Sequence, residues 1–447
     1  MLIRVFASNV LSFDKEVEFS LIPAKSNIRG SHVDRVDSRD DIPVLKTAIL
    51  YGANASGKSN LIKLMKLLQC IATRSPKTNK EIPYEPFKLG KKVGGTSKIE
   101  VEIKIGKFCY AYGVRFNRKL IKEEWLYKIN KRSEKKIFVR KSTLKGTTVD
   151  LDSVNFKNKE DNQFALFVGK GTPLNQSFLK ESKSRNLNSI DEINSVFNWF
   201  DEKLNIFFPK TRFRGMEFHF DKENELSKSI TEFMSYFGTG VSGMKKRLIN
   251  PGSSKLKIPS KILDEFIDEI DDGNKGVIAS DNNKYSFAVE KSKNGEVKLF
   301  KLVTTHLNSN GIEVEFEISE ESDGTRRLID FIPILVDLKK TDAVYLIDEI
   351  DRSLHPILSK GIMEYFLDNL SSRQSQLIVT THESNLLDLN TFRKDEIWFV
   401  EKKDGGASSF YSLNDFKPRN DIDIKKGYLN GRYGAIPFLS NTKELNW

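Results

Sequence analysis

Val44 to Leu68 reads VLKTAILYGANASGKSNLIKLMKLL, and the rest of the chain is understood from it. The apolar run Leu45 to Tyr51 predicts a buried strand. Gly52-Ala53-Asn54-Ala55-Ser56-Gly57-Lys58-Ser59 then satisfies the pattern G-x-x-x-x-G-K-[ST] in full. Glycines at 52 and 57 let the backbone curl until successive N–H groups face phosphate oxygens. Asn60 to Ala72 repeats apolar residues at Leu61, Ile62, Leu64, Met65, Leu67, Leu68 and Ile71, which is helical spacing with a broad buried face. The N-terminus of that helix adds a positive dipole end. Gly52, Asn54, Ala55, Ser56, Gly57, Lys58, Ser59 and Asn60 are therefore the candidate phosphate contacts. Lys58 would reach the β- and γ-phosphates, and the Ser59 hydroxyl would hold Mg²⁺. A chance glycine-rich turn is the competing reading, and a full match between strand and helix outweighs it.

Three later segments carry matching chemistry. Ala343 to Glu349, AVYLIDE, is an apolar run ending in two carboxylates. It predicts a buried strand that delivers Asp348 to Mg²⁺ and Glu349 to an attacking water. Gln376 to His382, QLIVTTH, is a second such strand, and His382 would approach a γ-phosphate. The helix-like Ile357 to Asn369 separates the two strands, a βαβ-sized spacing that puts both ends on one sheet edge. Ser322-Asp323-Gly324-Thr325 precedes the helical pattern of Leu328 to Leu338, with Ser322 as its cap and an anion-ready N-terminus.

Around these segments the chain reads as several blocks. Met1 to Ile22 alternates as a hairpin, and Ile28 to Pro43 is a polar, exposed loop. Thr73 to Gly95 is a connector rich in Pro, Lys and Gly. From Lys98 the period falls to two, predicting an antiparallel meander. Arg115 to Gly146 within it carries twelve Lys or Arg against three Glu, interleaved with Phe116, Trp125, Tyr127 and Phe138. It is either a basic, aromatic-studded surface for nucleic acid or a sheet with apolar residues inward and solvated lysines. Asp191 to Phe208, Glu225 to Phe237 and Lys261 to Asp272 have helical spacing, without heptads for an extended coiled coil. Phe237 to Met244 is a glycine-rich loop. Tyr285 to Val289, Val297 to Thr305 and Ile312 to Ile318 alternate as strands.

The bulk composition sets limits. The 447 residues suit two or three domains, and 38% hydrophobic with 30% charged residues describes a globular chain. A net charge of +11 permits an acidic partner without requiring one. Cys70 and Cys109 form no C-x-x-C and read as reduced thiols. The start lacks a signal-peptide pattern and no run approaches a membrane span, so a cytoplasmic location and no membrane partner are expected. The five histidines, His32, His219, His306, His355 and His382, lack metal-ligand spacing. Asp421 and Asp423 read as surface residues.

The set Gly52–Ser59, Ser322–Thr325, Tyr345–Glu349 and His382 resembles the ATP-binding heads of the ABC class, in the branch with SMC, RecF, RecN and OLD proteins. Asp348-Glu349-Ile350-Asp351-Arg352-Ser353-Leu354-His355-Pro356 and Lys426 to Pro437 are similar to AAA-type ABC ATPases of bacterial anti-phage and abortive-infection systems, such as the ATPase subunits of PARIS and Septu. The resemblance implies an α/β fold: an ABC-type P-loop ATPase head with a mixed sheet, an antiparallel β-meander and a helical insertion. Residues 1–182 would form the N-terminal half of the head and 281–447 the C-terminal half. Residues 183–280 would be the helical insertion that docks a partner. It further implies ATP and Mg²⁺ as cofactors, with Ser59 and Asp348 at the metal. Glu349 would be the catalytic base and His382 the switch histidine. Ser322 and Gly324 would contact the γ-phosphate of ATP held by the opposite subunit. Two departures stand out: Ser-Asp-Gly-Thr replaces the transporter-like Ser-Gly-Gly-Gln, and Tyr84 to Leu89 occupies the area of a Gln-containing lid.

The function expected on these grounds is an ATP-hydrolysing sensor or scaffold of anti-phage defence. It would act as a homodimer or higher homo-oligomer and control a separate effector, a Toprim or HNH nuclease. DNA or a phage protein is a further candidate partner. The alternative is a DNA-repair or chromosome-maintenance ATPase, RecF- or SMC-like, acting directly on DNA through Arg115 to Gly146. A third, weaker reading is a stand-alone nuclease.

Overall fold

The phosphate-loop strand Thr47–Tyr51 is buried at all five positions, as its apolar run requires, and it forms the centre of a six-stranded sheet. The structure, a computed structural model, describes residues 1–36, 41–90, 95–213, 216–219, 225–250, 260–280, 285–370, 373–419 and 421–437. Two compact units emerge. The first comprises Met1–Pro209, Thr341–Asp351 and Met363–Trp447; the second comprises Lys210–Lys340 and Arg352–Ile362.

In the first unit the central sheet runs Leu204–Phe207, Val344–Ile347, Gln376–Thr380, Thr47–Tyr51, Ile397–Lys402, Ser408–Ser412. The first five strands are parallel and the last is antiparallel. The strand that leads to His382 thus lies between the phosphate-loop strand and the acidic strand, so three functional strand ends share one edge. Helix Lys58–Thr73 buries Leu61, Ile62, Leu64, Met65, Leu68 and Ile71, the face set by their spacing. Leu204–Phe207 departs from expectation. It is a strand pairing with Val344–Ile347, although helical spacing predicts helix through Phe208. The helix ends at Asn198, and a π-turn over Trp199–Lys203 redirects the chain into the sheet.

The meander forms a second sheet of seven antiparallel strands: Gly146–Asp150, Glu134–Thr143, Ile121–Ile129, Phe108–Phe116, Ser97–Ile105, Leu2–Ser8 and Val17–Ser20. Its inner face joins the helix in one apolar core, with Ile99, Val101, Tyr112 and Phe138 packed alongside Leu61 and Leu64. Of the interleaved aromatics, Phe116, Trp125 and Phe138 are buried and Tyr127 is half-buried. These rings belong to the sheet's packing and do not make an aromatic-studded surface.

Two buried ion clusters tie loops to this sheet. Lys104 is fully buried and meets Asp34 at 2.8 Å and Asp41 at 2.6 Å. That pairing explains why part of the expected exposed loop Ile28 to Pro43 is buried: both carboxylates must follow the cation inside. Glu124 accepts from the Phe178 and Leu179 backbone N–H groups at 2.6 and 3.0 Å and from the Tyr112 hydroxyl at 3.1 Å. Arg140 stands 3.4 Å from Glu124 and donates to the Gln176 carbonyl at 2.8 Å. Together they fix the start of helix Phe178–Ser184 against the sheet.

The second unit has its own sheet, in the order Gly243–Ile249, Val297–Leu307, Tyr285–Lys291, Lys275–Ser280, with Glu313–Glu317 also paired to Val297–Leu307. Glu225–Tyr236 and Ser260–Asp268 are helices, as expected. The region 183–280 nevertheless also contributes strands. Gly243–Ile249, GMKKRLI, lacks alternating hydrophobicity and is held by its register with Val297–Leu307.

Arg140→Met is expected to lower the unfolding free energy by about 3–5 kcal/mol, because Glu124 would stay buried beside no cation. Arg115→Met, which removes a surface pair with Glu123, should cost under about 1 kcal/mol. Urea denaturation of both variants checks the contrast; equal midpoints would refute it.

Candidate functional site

The loop after Tyr51 needs its two glycines for distinct reasons. A Cβ on Gly52 would sit 2.4 Å from the Val400 carbonyl oxygen, so only glycine lets the loop pass that strand. Gly57 has φ +115° and lies against Ser408, 2.2 Å from where its Cβ would be. Ser408 Oγ donates to the Ser56 carbonyl at 2.5 Å and lies 2.8 Å from Ser12 Oγ, from whose hydroxyl it can accept. The outer strand and the N-terminal hairpin thereby brace the loop from behind, a role that no local pattern at Ser12 or Ser408 announces.

Helix Lys58–Thr73 begins without a side-chain cap, which leaves its first N–H groups available to an anion. Lys58 Nζ donates to the carbonyls of Gly52 at 2.6 Å and Ala53 at 3.1 Å. Burial draws its ammonium down to about 8, against the opposing pull of Asp348, Asp351 and Glu349. Ala55 adopts φ 62° in the loop, and Asn60 N–H donates to the Gly57 carbonyl at 3.0 Å.

Ser59 Oγ donates to Asp348 Oδ1 at 3.0 Å, across 289 residues of sequence. A hydroxyl and a carboxylate oxygen that meet at this distance offer the hard oxygen donors magnesium takes. Ser56 Oγ, buried, has no hydrogen-bond partner among the described residues. Uncapped N–H groups, a buried cation, an orphan hydroxyl and an oxygen pair together fit a magnesium-bound nucleotide phosphate.

Thr380, unremarked in the sequence, organises the acidic strand end. Its Oγ1 donates to Asp348 Oδ1 at 2.6 Å and accepts from the Glu349 N–H at 2.8 Å. Its carbonyl accepts from Ile350 N–H at 3.0 Å. Glu349 has φ 52°, a left-handed backbone that a non-glycine residue adopts at a cost of roughly 1–3 kcal/mol. The two Thr380 bonds hold it there. The next residue, Thr381, donates to Asp351 Oδ1 at 2.8 Å, and the His382 N–H reaches both Asp351 oxygens at 3.3 Å. Partial burial, then the Lys58 charge, hold the His382 imidazole below its ordinary pKa, while Asp351, Glu349 and Asp348 pull upward. The fold therefore gathers Lys58, Ser59, Asp348, Glu349 and His382 in the first unit.

Ser322 and Gly324 belong to the second unit. Ser322 Oγ accepts from Thr325 N–H at 3.0 Å and so caps helix Asp323–Lys340, as the sequence implies. A Cβ on Gly324 would lie 2.9 Å from the Ser353 carbonyl oxygen, where Ser353 itself has φ 62°. Asp421 is exposed beside Arg419, and Asp423 caps helix Ile424–Leu429. The glycine–tyrosine segment that follows packs under the phosphate-loop strand. Tyr428 and Tyr433 stack on Phe399, and Tyr51 closes on Tyr428 with centroids 5.8 Å apart.

Parallel sheet, glycine loop and carboxylate-ended strand define the phosphate-loop class of α/β proteins. The chain belongs to the family described as "AAA domain, putative AbiEii toxin, Type IV TA system", whose model matches residues 48–388. No curated protein matches it in sequence. Among solved structures it is similar to an SMC head bound to the C-terminal winged-helix domain of ScpA. That match has 15% identity and a TM-score of 0.39, covering 93% of this chain and 99% of the other. The SMC head domain from Thermotoga maritima is similar at 13% identity and a TM-score of 0.37, covering 92% and 98%. Likeness at this level bears on neither activity nor partners. No helix among the described residues is long and apolar enough to cross a membrane.

Thr380→Val should destabilise the chain by about 1–3 kcal/mol, because the Glu349 N–H loses its acceptor and Asp348 a donor. Thr380→Ser should recover most of that loss. Thermal melts of the two variants decide it, and a Val variant as stable as the Ser variant would remove Thr380 from this role.

Proposed function

We propose that the chain is an ABC-type P-loop ATPase head, cytoplasmic, that binds ATP with Mg²⁺ and hydrolyses it within a homodimer. The observation that carries this reading is the 3.0 Å bond from Ser59 to Asp348, which joins the phosphate loop to the acidic strand beside Lys58. Lys58 and the N–H groups of Asn54, Ala55, Gly57, Lys58 and Ser59 bind and orient the phosphates, while the Ser56 and Asn60 N–H groups are bonded within the loop. Ser59 and Asp348 hold Mg²⁺, which neutralises phosphate charge when bound. Glu349, set by its Thr380 bond, orients and deprotonates the attacking water. His382, anchored through its backbone to Asp351, senses the γ-phosphate. Ser322 and Gly324 contact the nucleotide of the opposite subunit, so that closure requires two chains.

The biological setting we propose is bacterial defence. The family description names an AbiEii toxin and a type IV toxin–antitoxin system, which favours an abortive-infection role; the likeness to the ATPase subunits of PARIS and Septu rests on the motifs at 348–356 and 426–437. ATP closure of the dimer would bias its affinity for a separate effector, a Toprim or HNH nuclease, docked within residues 183–280.

Lys58→Ala should abolish ATP binding in titration calorimetry; unchanged affinity would sink the phosphate-loop assignment. Glu349→Gln should slow hydrolysis by about 10²–10⁴-fold while retaining an ATP-bound dimer. Light scattering in ATP reads the second point, and a strictly monomeric variant would count against closure by two chains.

A further inference from the structure

The meander carries a cleft that the ATP reading does not use. It has a volume of about 380 Å³ and lies where the hairpin tips around Lys107 and Asn130 come together. Phe108, Ile129 and Val36 supply apolar wall, and Lys107, Lys128 and Lys135 supply positive charge. Phe108 is 41% exposed, the most exposed of the sheet's described aromatic residues, of which Tyr110, Tyr112, Phe116, Trp125 and Phe138 are buried. Lys128 Nζ lies 3.7 Å from its ring centroid and Lys107 Nζ 5.4 Å.

The charge arrangement is specific. Lys128 and Lys135 are directly opposite each other on neighbouring strands, a like-charge pairing that weakens a sheet. Elsewhere the same sheet matches cations with acids: Arg115 and Lys141 with Glu123, Lys136 with Asp150, Lys98 with Glu16. Among the described residues none of Lys107, Lys128 and Lys135 has a carboxylate partner. Asp41, also on the wall, is already satisfied by Lys104 at 2.6 Å and by the Val36 N–H at 3.0 Å. Among the described residues the cleft wall thus carries net positive charge around an exposed aromatic ring.

We infer that this cleft binds a nucleoside phosphate unit, with the base against Phe108 and the phosphate between Lys107, Lys128 and Lys135. An inorganic anion would leave the apolar wall uncovered. An acidic side chain would leave the ring without a planar partner. A nucleotide supplies both parts, and stacking on one ring needs no particular base. The ligand is either a free mononucleotide or one unit of a single strand. The site is separate from the phosphate loop and stands whether or not that loop binds ATP.

The test uses the full chain and its Lys58→Ala variant, so that any contribution of the phosphate loop is visible as a difference between them. Fluorescence anisotropy with a labelled, 5′-phosphorylated oligo-dT probe measures strand binding, and titration calorimetry with thymidine monophosphate measures the free nucleotide. Equal binding in both chains is expected for at least one ligand, with about tenfold or greater weakening by Phe108→Ala and by Lys128→Gln. A response to the oligonucleotide alone assigns a strand, and a response to thymidine monophosphate assigns a free nucleotide. Oligo-glutamate of equal charge should compete poorly. Melting curves confirm that the variants are folded, and Lys135→Gln supplies a second charge removal should Lys128→Gln not fold. No binding of either ligand, binding insensitive to Phe108→Ala, or equal competition by oligo-glutamate would overturn the proposal.

Discussion

One carboxylate oxygen holds the site together. Asp348 Oδ1 receives the Ser59 hydroxyl from the phosphate loop and the Thr380 hydroxyl from the neighbouring strand. Three strands of the parallel sheet must end at the same level for that to happen, and the registers Ile347 with Val379 and Thr380 with Leu50 set that level. A one-residue slip in either ladder would turn Thr380 to the other face and break both bonds. The apolar core beneath, which joins the helix Lys58–Thr73 to the meander, is what keeps the registers in place.

Strain at the site is supported from the same point. Glu349 keeps a left-handed backbone because its N–H is bonded to Thr380, and Asp351 repeats the arrangement one step on by accepting from Thr381 and His382. Acidic strand end and histidine loop are therefore linked by two short ladders of hydrogen bonds. A displacement of His382 would be felt at Asp351, and one of Thr380 at Glu349. On the proposed function, such paired contacts would let the histidine loop report a γ-phosphate to the rest of the unit.

The motif-bearing elements were legible in sequence because their chemistry is local. G-x-x-x-x-G-K-S, the carboxylates at 348 and 349, and the βαβ spacing to His382 each need only a short window. The Ser322 cap was likewise readable. Thr380, Ser408 and Ser12 were not, since their roles arise only when strands distant in sequence become neighbours. Leu204–Phe207 reads as helix because helical spacing continues across a π-turn, and the parallel partner that makes it a strand lies 140 residues on. Asp34 and Asp41 looked like loop surface because nothing near them announces that Lys104 is buried. The aromatics of Arg115 to Gly146 had two readings in sequence, and packing chose the interior for most of them.

On the proposed function, Ser59 and Asp348 act as one magnesium-binding unit for a nucleotide. A double-mutant cycle measures this directly: ATP affinity as a function of Mg²⁺ for the parent chain, Ser59→Ala, Asp348→Asn and the double variant. Each single change is expected to remove most of the Mg²⁺ dependence and the double change to add little more. Additive losses, or a parent chain whose ATP affinity ignores Mg²⁺, would contradict it.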